Sequence, residues 1–187
     1  MIKTLYPKFQ NWSLNGSIWI LSDLHFADAD CKLMDPNWIS IKEQQQILKN
    51  TIHKNDTFIC LGDIGDKTCL KSIWDIDKKP YIVLILGNHD APGQFKHDPY
   101  FDEVYTGPLF ISDRILLSHE PIYTFYWYNI HGHHHSEMTY DEYGYGINLA
   151  CNICGYKPVS LKELIKKGVL SKINNVHRFA IEERKEK

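Results

Sequence analysis

Five short hydrophobic segments of this chain each end at, or one residue before, a polar motif. Their length and their content of β-branched and aromatic residues predict strands that are buried on both faces. The segments are residues 17–22, 57–61, 81–86, 114–117 and 127–130. The motifs that follow are Asp23-Leu24-His25, Gly62-Asp63, Gly87-Asn88-His89-Asp90, Ser118-His119 and Gly132-His133-His134-His135. Because ligands of open α/β sheets bind beyond the carboxyl ends of the strands, the five motifs are predicted to share one site.

The composition is that of an ordinary globular protein. With 187 residues, 43% hydrophobic and 24% charged, the chain suits one domain with a substantial core, spanning residues 1–187. A formal net charge of -2 gives no overall attraction for nucleic acid, although a local basic groove remains open. No apolar stretch approaches the roughly 20 residues that cross a bilayer, and the N-terminus lacks a signal-peptide core. Five cysteines, an odd number, indicate free thiols, and we therefore expect a cytoplasmic protein without a membrane partner.

Helical segments separate the predicted strands, and this alternation indicates an α/β domain. Before the first long helix, Asp35-Pro36 offers an N-cap followed by proline, and Ser40-Ile-Lys-Glu43 is a competing capping box. A shorter helix is predicted from about Thr68 to Asp75. A second capping box, Ser160-Leu-Lys-Glu163, begins another helix, and Gly168 is its predicted stop.

The motifs contain carboxylate, amide and imidazole groups, which are oxygen and nitrogen ligands for divalent metals. Asp23 and His25 lie two residues apart, so on an extended segment both side chains project to the same side. His133 and His135 repeat this spacing. A glycine precedes the donor of the second and third motifs and lets the backbone turn sharply off the strand. The mixture suits manganese, iron, zinc or a similar ion better than calcium or magnesium alone.

The order Asp-x-His, Gly-Asp, Gly-Asn-His-Asp, His, Gly-His-x-His resembles that of the calcineurin-like metallophosphoesterase superfamily. Every core position of the pattern is filled between Asp23 and His135. The remainder of the chain is similar to small single-domain bacterial and phage members called predicted phosphoesterases. The resemblance implies a four-layer α/β/β/α sandwich, in which two mixed sheets lie face to face with helices outside.

The resemblance also implies two divalent metal ions (manganese, iron, zinc or nickel) and assigns their ligands. One metal would be held by Asp23, His25 and His135. The other would be held by Asn88, His119 and His133. Asp63 would bridge the two, and a hydroxide shared by both metals would attack phosphorus.

Two further residues receive roles in proton transfer. His89 follows the ligand Asn88 and is the predicted general acid for the leaving group. A carboxylate on its other ring nitrogen would orient it, and Asp66 occupies the position of that carboxylate in the superfamily. Asp90 is predicted to be structural, in a turn or beside the ligands.

The predicted activity is metal-dependent hydrolysis of a small phosphomonoester or phosphodiester. Phosphoprotein phosphatases of the superfamily carry a phosphate-binding arginine where this chain has Lys67, which disfavours a protein substrate. Two alternatives stay open: a nuclease acting on DNA or RNA, and a non-catalytic metal-binding scaffold. The substrate and the oligomeric state are not determined by the motifs.

Several other conspicuous residues are expected to have no role in catalysis. The cysteines of Cys151-Asn-Ile-Cys154 are interpreted as buried side chains at a strand end, because a structural zinc site needs a second pair. The aromatic cluster Phe125-Tyr-Trp-Tyr128 is interpreted as core, with a wall for a base or aryl group as the alternative. The histidines predicted not to bind metal are His53, His97, His131, His134 and His177.

Overall fold

The computed structural model describes residues 12, 16–136 and 144–173. Within these residues nine strands form two sheets. They are β1 (Ile18–Leu21), β2 (Thr57–Cys60), β3 (Tyr81–Ile85), β4 (Glu103–Tyr105), β5 (Leu109–Phe110), β6 (Ile115–Leu117), β7 (Tyr128–His131), β8 (Gly146–Asn148) and β9 (Val159–Ser160). The larger sheet has the order β4-β3-β2-β1-β9, and the smaller has the order β5-β6-β7-β8.

Both sheets are mixed. In the larger sheet β1 to β4 run parallel and β9 pairs antiparallel with β1. In the smaller sheet β6, β7 and β8 are parallel and β5 is antiparallel to β6. The predicted α/β class with two mixed sheets is confirmed. The five hydrophobic segments correspond to β1, β2, β3, β6 and β7. The sequence also predicts a further strand within residues 143–149, and β8 is that strand.

In the described part of the chain five α-helices connect or flank these strands. They are α1 (Cys31–Met34), α2 (Ile41–Thr51), α3 (Lys67–Lys71), α4 (Pro92–Phe95) and α5 (Leu161–Lys166), followed by a 3-10 helix at Val169–Lys172. Within the described residues no helix is both long and apolar enough to span a bilayer.

The helix starts test the capping predictions. Ser40 caps α2 with a complete capping box, in which its side chain and that of Glu43 each accept from the other's backbone. The competing start at Asp35-Pro36 is wrong, because Asp35 ends α1 and its carboxylate accepts from the amide of Asn37 at 2.8 Å.

The two remaining helices follow their predictions in part. The predicted helix from Thr68 to Asp75 is shorter in the structure and ends at Lys71. Ser160 precedes α5 as predicted, but its side chain makes no capping hydrogen bond.

Alternate residues of the larger sheet face two separate cores. On one face, Leu21, Phe58 and Leu84 pack with side chains from α1 to α4. On the other face, Ile20 and Ile59 pack against the smaller sheet, with α5 contributing its leucines. Both faces of β2 and β3 are therefore buried, which explains their continuous hydrophobic sequence.

The aromatic cluster divides between core and surface. Tyr128 on β7 is 1% exposed, as predicted. Phe125 and Tyr126 precede the strand in a loop and are 65% and 39% exposed, so the core prediction is wrong for them.

His177 and the charged tail at 182–187 lie outside the described residues, and the single-domain assignment stays a prediction.

Candidate metal centre

The loops that follow β1, β2, β3, β6 and β7 meet at the interface between the two sheets. The amide of Asp23 donates to the carbonyl of Gly62 at 2.9 Å, which joins the loop after β1 to the loop after β2. The amide of Gly132 donates to the carbonyl of His119 at 2.9 Å, which joins the corresponding loops of the smaller sheet. The five motifs therefore lie together, because parallel neighbouring strands place their carboxyl ends at one edge.

One group of ligand atoms surrounds the carboxylate of Asp23. His25 Nε2 lies 3.9 Å from Asp23 Oδ1, and His135 Nε2 lies 3.6 Å from the same oxygen. One ligand atom from each of Asp23, His25 and His135 lies within 4.8 Å of the other two. Asp23 Oδ1 and His25 Nε2 are buried and have no hydrogen-bond partner among the described residues. Buried polar atoms are nearly always paired, so this pair fits a cation that both would bind.

A second group surrounds the side-chain oxygen of Asn88. His119 Nε2 lies 2.8 Å from Asn88 Oδ1, and His133 Nδ1 lies 3.0 Å from it. The two imidazole nitrogens are 3.2 Å apart. Two ring nitrogens and an amide oxygen that point at one another form a donor set suited to a transition metal.

Asp63 lies between the two groups. Its Oδ2 is 3.7 Å from His25 Nε2 and 3.3 Å from His119 Nε2. Its Oδ1 accepts the backbone amide of His89 at 2.9 Å. Asp63 also forms a compact ligand group with Asp23 and His119. The structure thus brings together all seven residues predicted as ligands, and their binding of metal stays a prediction.

The electrostatic environment of this cluster favours a cation. Burial opposes protonation of His119, but the carboxylates of Asp63 and Asp23 raise its pKa to about 8. Burial likewise opposes ionisation of Asp63, yet the hydrogen bond and charge of His119 hold the pKa of that carboxyl below its usual value. A potential that stabilises an imidazolium also stabilises a metal ion at the same place.

The backbone is left-handed at four of the seven predicted ligands, which corrects the expectation of an extended segment. The φ angle is +58° at Asp23, +43° at His25, +52° at Asp63 and +72° at His133. Non-glycine residues adopt this region at a cost, and such residues concentrate at functional sites. Asp23 and His25 therefore converge through a tight turn and not through the pleat of a strand.

The predicted glycines act in two different ways. Gly62 has a φ of +104° and supplies the sharp turn before Asp63. Gly87 is not left-handed; a Cβ there would lie 2.1 Å from Asp63 Oδ1, so its role is to leave room for that carboxylate. Gly132 has the same role for Asp23, whose Oδ2 would be 2.2 Å from a Cβ.

Asp90 joins the loops after β2 and β3. Its Oδ2 accepts the amides of Asp63 at 2.7 Å and Gly87 at 2.9 Å, and its Oδ1 accepts that of Ile64 at 3.1 Å. This agrees with a structural role beside the ligands. The carboxylate holds two segments of the site at a fixed separation.

The predicted proton-transfer pair is not in contact. His89 is exposed, and its ring centroid lies 5.5 Å from that of His25. Asp66 instead caps α3, where its Oδ1 accepts the amide of Thr68 at 2.9 Å and the hydroxyl of Thr68 at 2.7 Å. No hydrogen bond joins Asp66 to His89 in the described part of the chain, and the orienting role of Asp66 stays a prediction.

Lys67 forms an ion pair with Asp98 at 2.8 Å, so its amine is already paired within the protein.

The cysteine pair adjoins the candidate metal centre through a contact between Cys151 and Asp23. Cys151 is buried, and its Sγ donates to the carbonyl of Asp23 at 2.9 Å. Burial raises the pKa of the Cys154 thiol to about 12, which disfavours a thiolate ligand. No candidate metal group among the described residues contains a cysteine. This agrees with the interpretation of the pair as packed residues at a strand end.

Four of the five histidines predicted not to bind metal belong to the described residues. His53, His97 and His134 are exposed. His131 is buried on β7, and its Nδ1 lies 2.9 Å from the carbonyl of Gly132. None of these four belongs to a candidate metal group of the described residues.

Three residues that contact the ligands were not predicted. Asp28 Oδ2 lies 3.0 Å from His25 Nδ1, and Asn152 Oδ1 lies 3.0 Å from His135 Nδ1. The indole of Trp38 packs on both rings, with centroids 6.0 Å from His25 and 5.7 Å from His135. Only Asp28 carried a local signal, since it is a carboxylate three residues after the Asp-x-His motif.

The chain is similar to known proteins over most of its length. The family model for calcineurin-like phosphoesterases matches residues 16–155. MJ1445 of Methanocaldococcus jannaschii, an uncharacterized protein, is 31% identical over 181 residues, covering 85% of this chain and 97% of the relative. The crystal structure of AQ665 from Aquifex aeolicus, a protein of unknown function, has 25% identity and a TM-score of 0.62. That match covers 80% of this chain and 98% of the solved chain.

Proposed function

The chain belongs to the calcineurin-like phosphoesterase family, and on that premise we propose that it hydrolyses small phosphomonoesters or phosphodiesters with two divalent metal ions. The observation that carries this proposal is the position of Asp63 Oδ2, which lies within 4 Å of an imidazole nitrogen from each ligand group. A shared carboxylate between two donor sets suits a pair of ions.

Each ion would have its own protein ligands. Asp23, His25 and His135 would hold one, and Asn88, His119 and His133 would hold the other. Bound divalent ions lower the pKa of a coordinated water toward neutrality and neutralise charge on phosphoryl oxygens. Manganese, iron, zinc and nickel all accept this mixture of nitrogen and oxygen ligands.

His89 would donate the proton to the leaving group. Its backbone amide is anchored to Asp63 Oδ1, while its ring is exposed at the rim of the ligand cluster. An exposed imidazole beside the predicted ligands can reach an ester oxygen and exchange its proton with solvent. Asp66 would orient the ring through Oδ2, since its Oδ1 accepts from the amide and hydroxyl of Thr68.

An open pocket of about 300 Å³ beside Asn88 and His119 supports a small substrate. Its walls are partly apolar, formed by Leu86, Pro108 and Ile122 among others. Pockets of a few hundred Å³ accommodate small organic ligands. The organic group of the ester would lie here while its phosphate faces the ligand cluster.

Hydrolysis of p-nitrophenyl phosphate and bis-p-nitrophenyl phosphate with added manganese tests the proposal. Asp63→Asn is expected to weaken metal binding, because the carboxylate serves both ions. His89→Ala should keep metal binding and lower kcat by about 10²–10⁴-fold for phenyl phosphate, whose leaving group needs a proton. The loss with the p-nitrophenyl esters should be smaller, because p-nitrophenolate leaves readily without a proton. His97→Ala, an exposed histidine outside the cluster, is the matched control and should behave as wild type.

Two outcomes would favour the alternatives. If two metals bind by calorimetry and no phosphoester is cleaved, the non-catalytic scaffold replaces this proposal. If single-stranded DNA or RNA is cleaved far faster than both small esters, with strong salt dependence, the chain is a nuclease.

A cytoplasmic location is proposed as well, since all five cysteines are free and a reducing compartment keeps them so.

A further inference from the structure

His25 is a predicted metal ligand whose ring is contacted on several sides. Its side chain is 2% exposed. Nδ1 lies 3.0 Å from Asp28 Oδ2, while Nε2 faces the carboxylates of Asp23 and Asp63 at 3.9 and 3.7 Å. Because an ionised carboxylate only accepts hydrogen bonds, contact with Asp28 places the ring proton on Nδ1. The lone pair of Nε2 then points into the ligand cluster.

Asp28 is itself held in place from two directions. Its Oδ1 accepts the backbone amide of Asp30 at 2.9 Å, and its own amide donates to the carbonyl of His25 at 3.1 Å. The intervening Ala27 has a φ of +61°, which closes the turn that returns the carboxylate to the imidazole. Both oxygens of Asp28 are therefore engaged, one by the turn and one by the ligand.

The indole of Trp38 restricts the plane of the same ring. Trp38 is 5% exposed and meets His25 edge-on, with an interplanar angle of 78°. With the Gln44 amide assigned so that its oxygen faces the indole, it accepts from Trp38 Nε1 at 2.9 Å and donates to the carbonyl of Leu24 at 3.2 Å. Buried Gln44 thus fixes the wall against which His25 packs.

We propose that Asp28 is a positioning residue that sets the tautomer and orientation of His25 and thereby the metal affinity of the group formed with Asp23 and His135. This inference rests on the proposed metal binding. Carboxylates that accept from the second nitrogen of a metal-binding histidine contribute about 10–100-fold to metal affinity. Asp28 touches neither substrate nor the reacting atoms.

Manganese titration calorimetry on Asp28→Ala and Asp28→Asn tests the proposal. Asp28→Ala removes both the charge and the acceptor and should weaken one of the two sites by about 10–100-fold. Asp28→Asn keeps an acceptor oxygen and should fall between Asp28→Ala and wild type. The second site, at Asn88, His119 and His133, should keep its affinity. At saturating manganese both variants should recover most of the wild-type kcat.

Asp30→Asn is the matched control in the same turn. The Asp30 carboxylate makes no hydrogen bond in the described residues, although its amide donates to Asp28. This variant should retain wild-type metal affinity. Thermal unfolding of all variants separates a weakened site from a damaged fold.

A nitrogen-15 NMR measurement of ring tautomers gives a readout independent of catalysis. In metal-free wild type His25 should carry its proton on Nδ1, and in Asp28→Ala this preference should be lost. Wild-type manganese affinity together with an unchanged tautomer in Asp28→Ala would overturn the proposal. If wild type itself binds no metal, the proposed function fails, which is a distinct result.

Discussion

Replacing Gly87 by alanine tests whether the space beside Asp63 controls the candidate metal centre. A Cβ at this position would lie 2.1 Å from Asp63 Oδ1 and 2.8 Å from the Asp63 backbone nitrogen. Ordinary contact begins near 3.4 Å, so the carboxylate must retreat by about 1.3 Å. The φ of Gly87 is one that alanine adopts, and the perturbation is therefore steric and not conformational.

Displacement of the Asp63 carboxylate is expected to lower the catalytic rate. Misplacing a group by about 1 Å at an active site costs on the order of 100-fold in rate. Because Asp63 serves both ligand groups, manganese affinity should fall at both sites. Insertion of a methyl group into a filled interior costs about 1–3 kcal/mol, so the protein should remain folded with a lower Tm.

The assay is kcat/KM for bis-p-nitrophenyl phosphate, measured beside manganese calorimetry and thermal unfolding. Gly93→Ala in α4 is the control, since a Cβ there meets no atom within 4 Å. It should retain wild-type activity and metal affinity. If Gly87→Ala binds manganese normally and keeps kcat/KM within about threefold, the reasoning from steric displacement of Asp63 is refuted.

Two further substitutions probe the supports of the fold. Asp90→Asn replaces a carboxylate that accepts hydrogen bonds from three backbone amides, so at least one buried amide loses its partner. Urea unfolding should therefore show a free energy of unfolding about 2 kcal/mol lower than that of wild type. An unchanged free energy of unfolding would refute this. Burial opposes ionisation of Asp98, but Lys67 and Lys71 hold the pKa of its carboxyl at about 2. The lysines are partly exposed, so solvent weakens the two ion pairs, and we expect them to stabilise the fold by about 1 kcal/mol at pH 7. Because the folded pKa is depressed, the stability difference between wild type and Asp98→Asn should be constant above about pH 5 and shrink as pH falls toward 2. A difference that grows on acidification would contradict this.

The hydrophobic segments predicted the strands well, because a strand buried on both faces needs a continuous apolar sequence. β4, β5 and β9 were not predicted. β4 is a short partly exposed edge strand whose three residues, Glu103–Tyr105, lack such a pattern. At the start of α2, Ser40 was the true cap because Glu43 completes the reciprocal bonds, whereas Asp35 had a nearer partner in Asn37.

The composition of the candidate site was predictable, but its supporting contacts were not. Strand ends placed Asp23, Asp63 and Asn88 at one edge of a sheet. The partner of His135 is Asn152, seventeen residues away, and its contact depends on how the second sheet packs. Asp66 illustrates the opposite case: its carboxylate turned to the adjacent Thr68 because a local capping bond competes with a distant imidazole.

The left-handed backbone at Asp23, His25, Asp63 and His133 has a consequence for the order of folding. Each such residue is held in a conformation that costs about 1–2 kcal/mol, so an unfolded chain rarely adopts all four together. We therefore expect the neighbouring sheet ends to form first and to impose these conformations. A metal ion would then bind at a site that the fold has already made, and the predicted ligands would reach their positions late in folding.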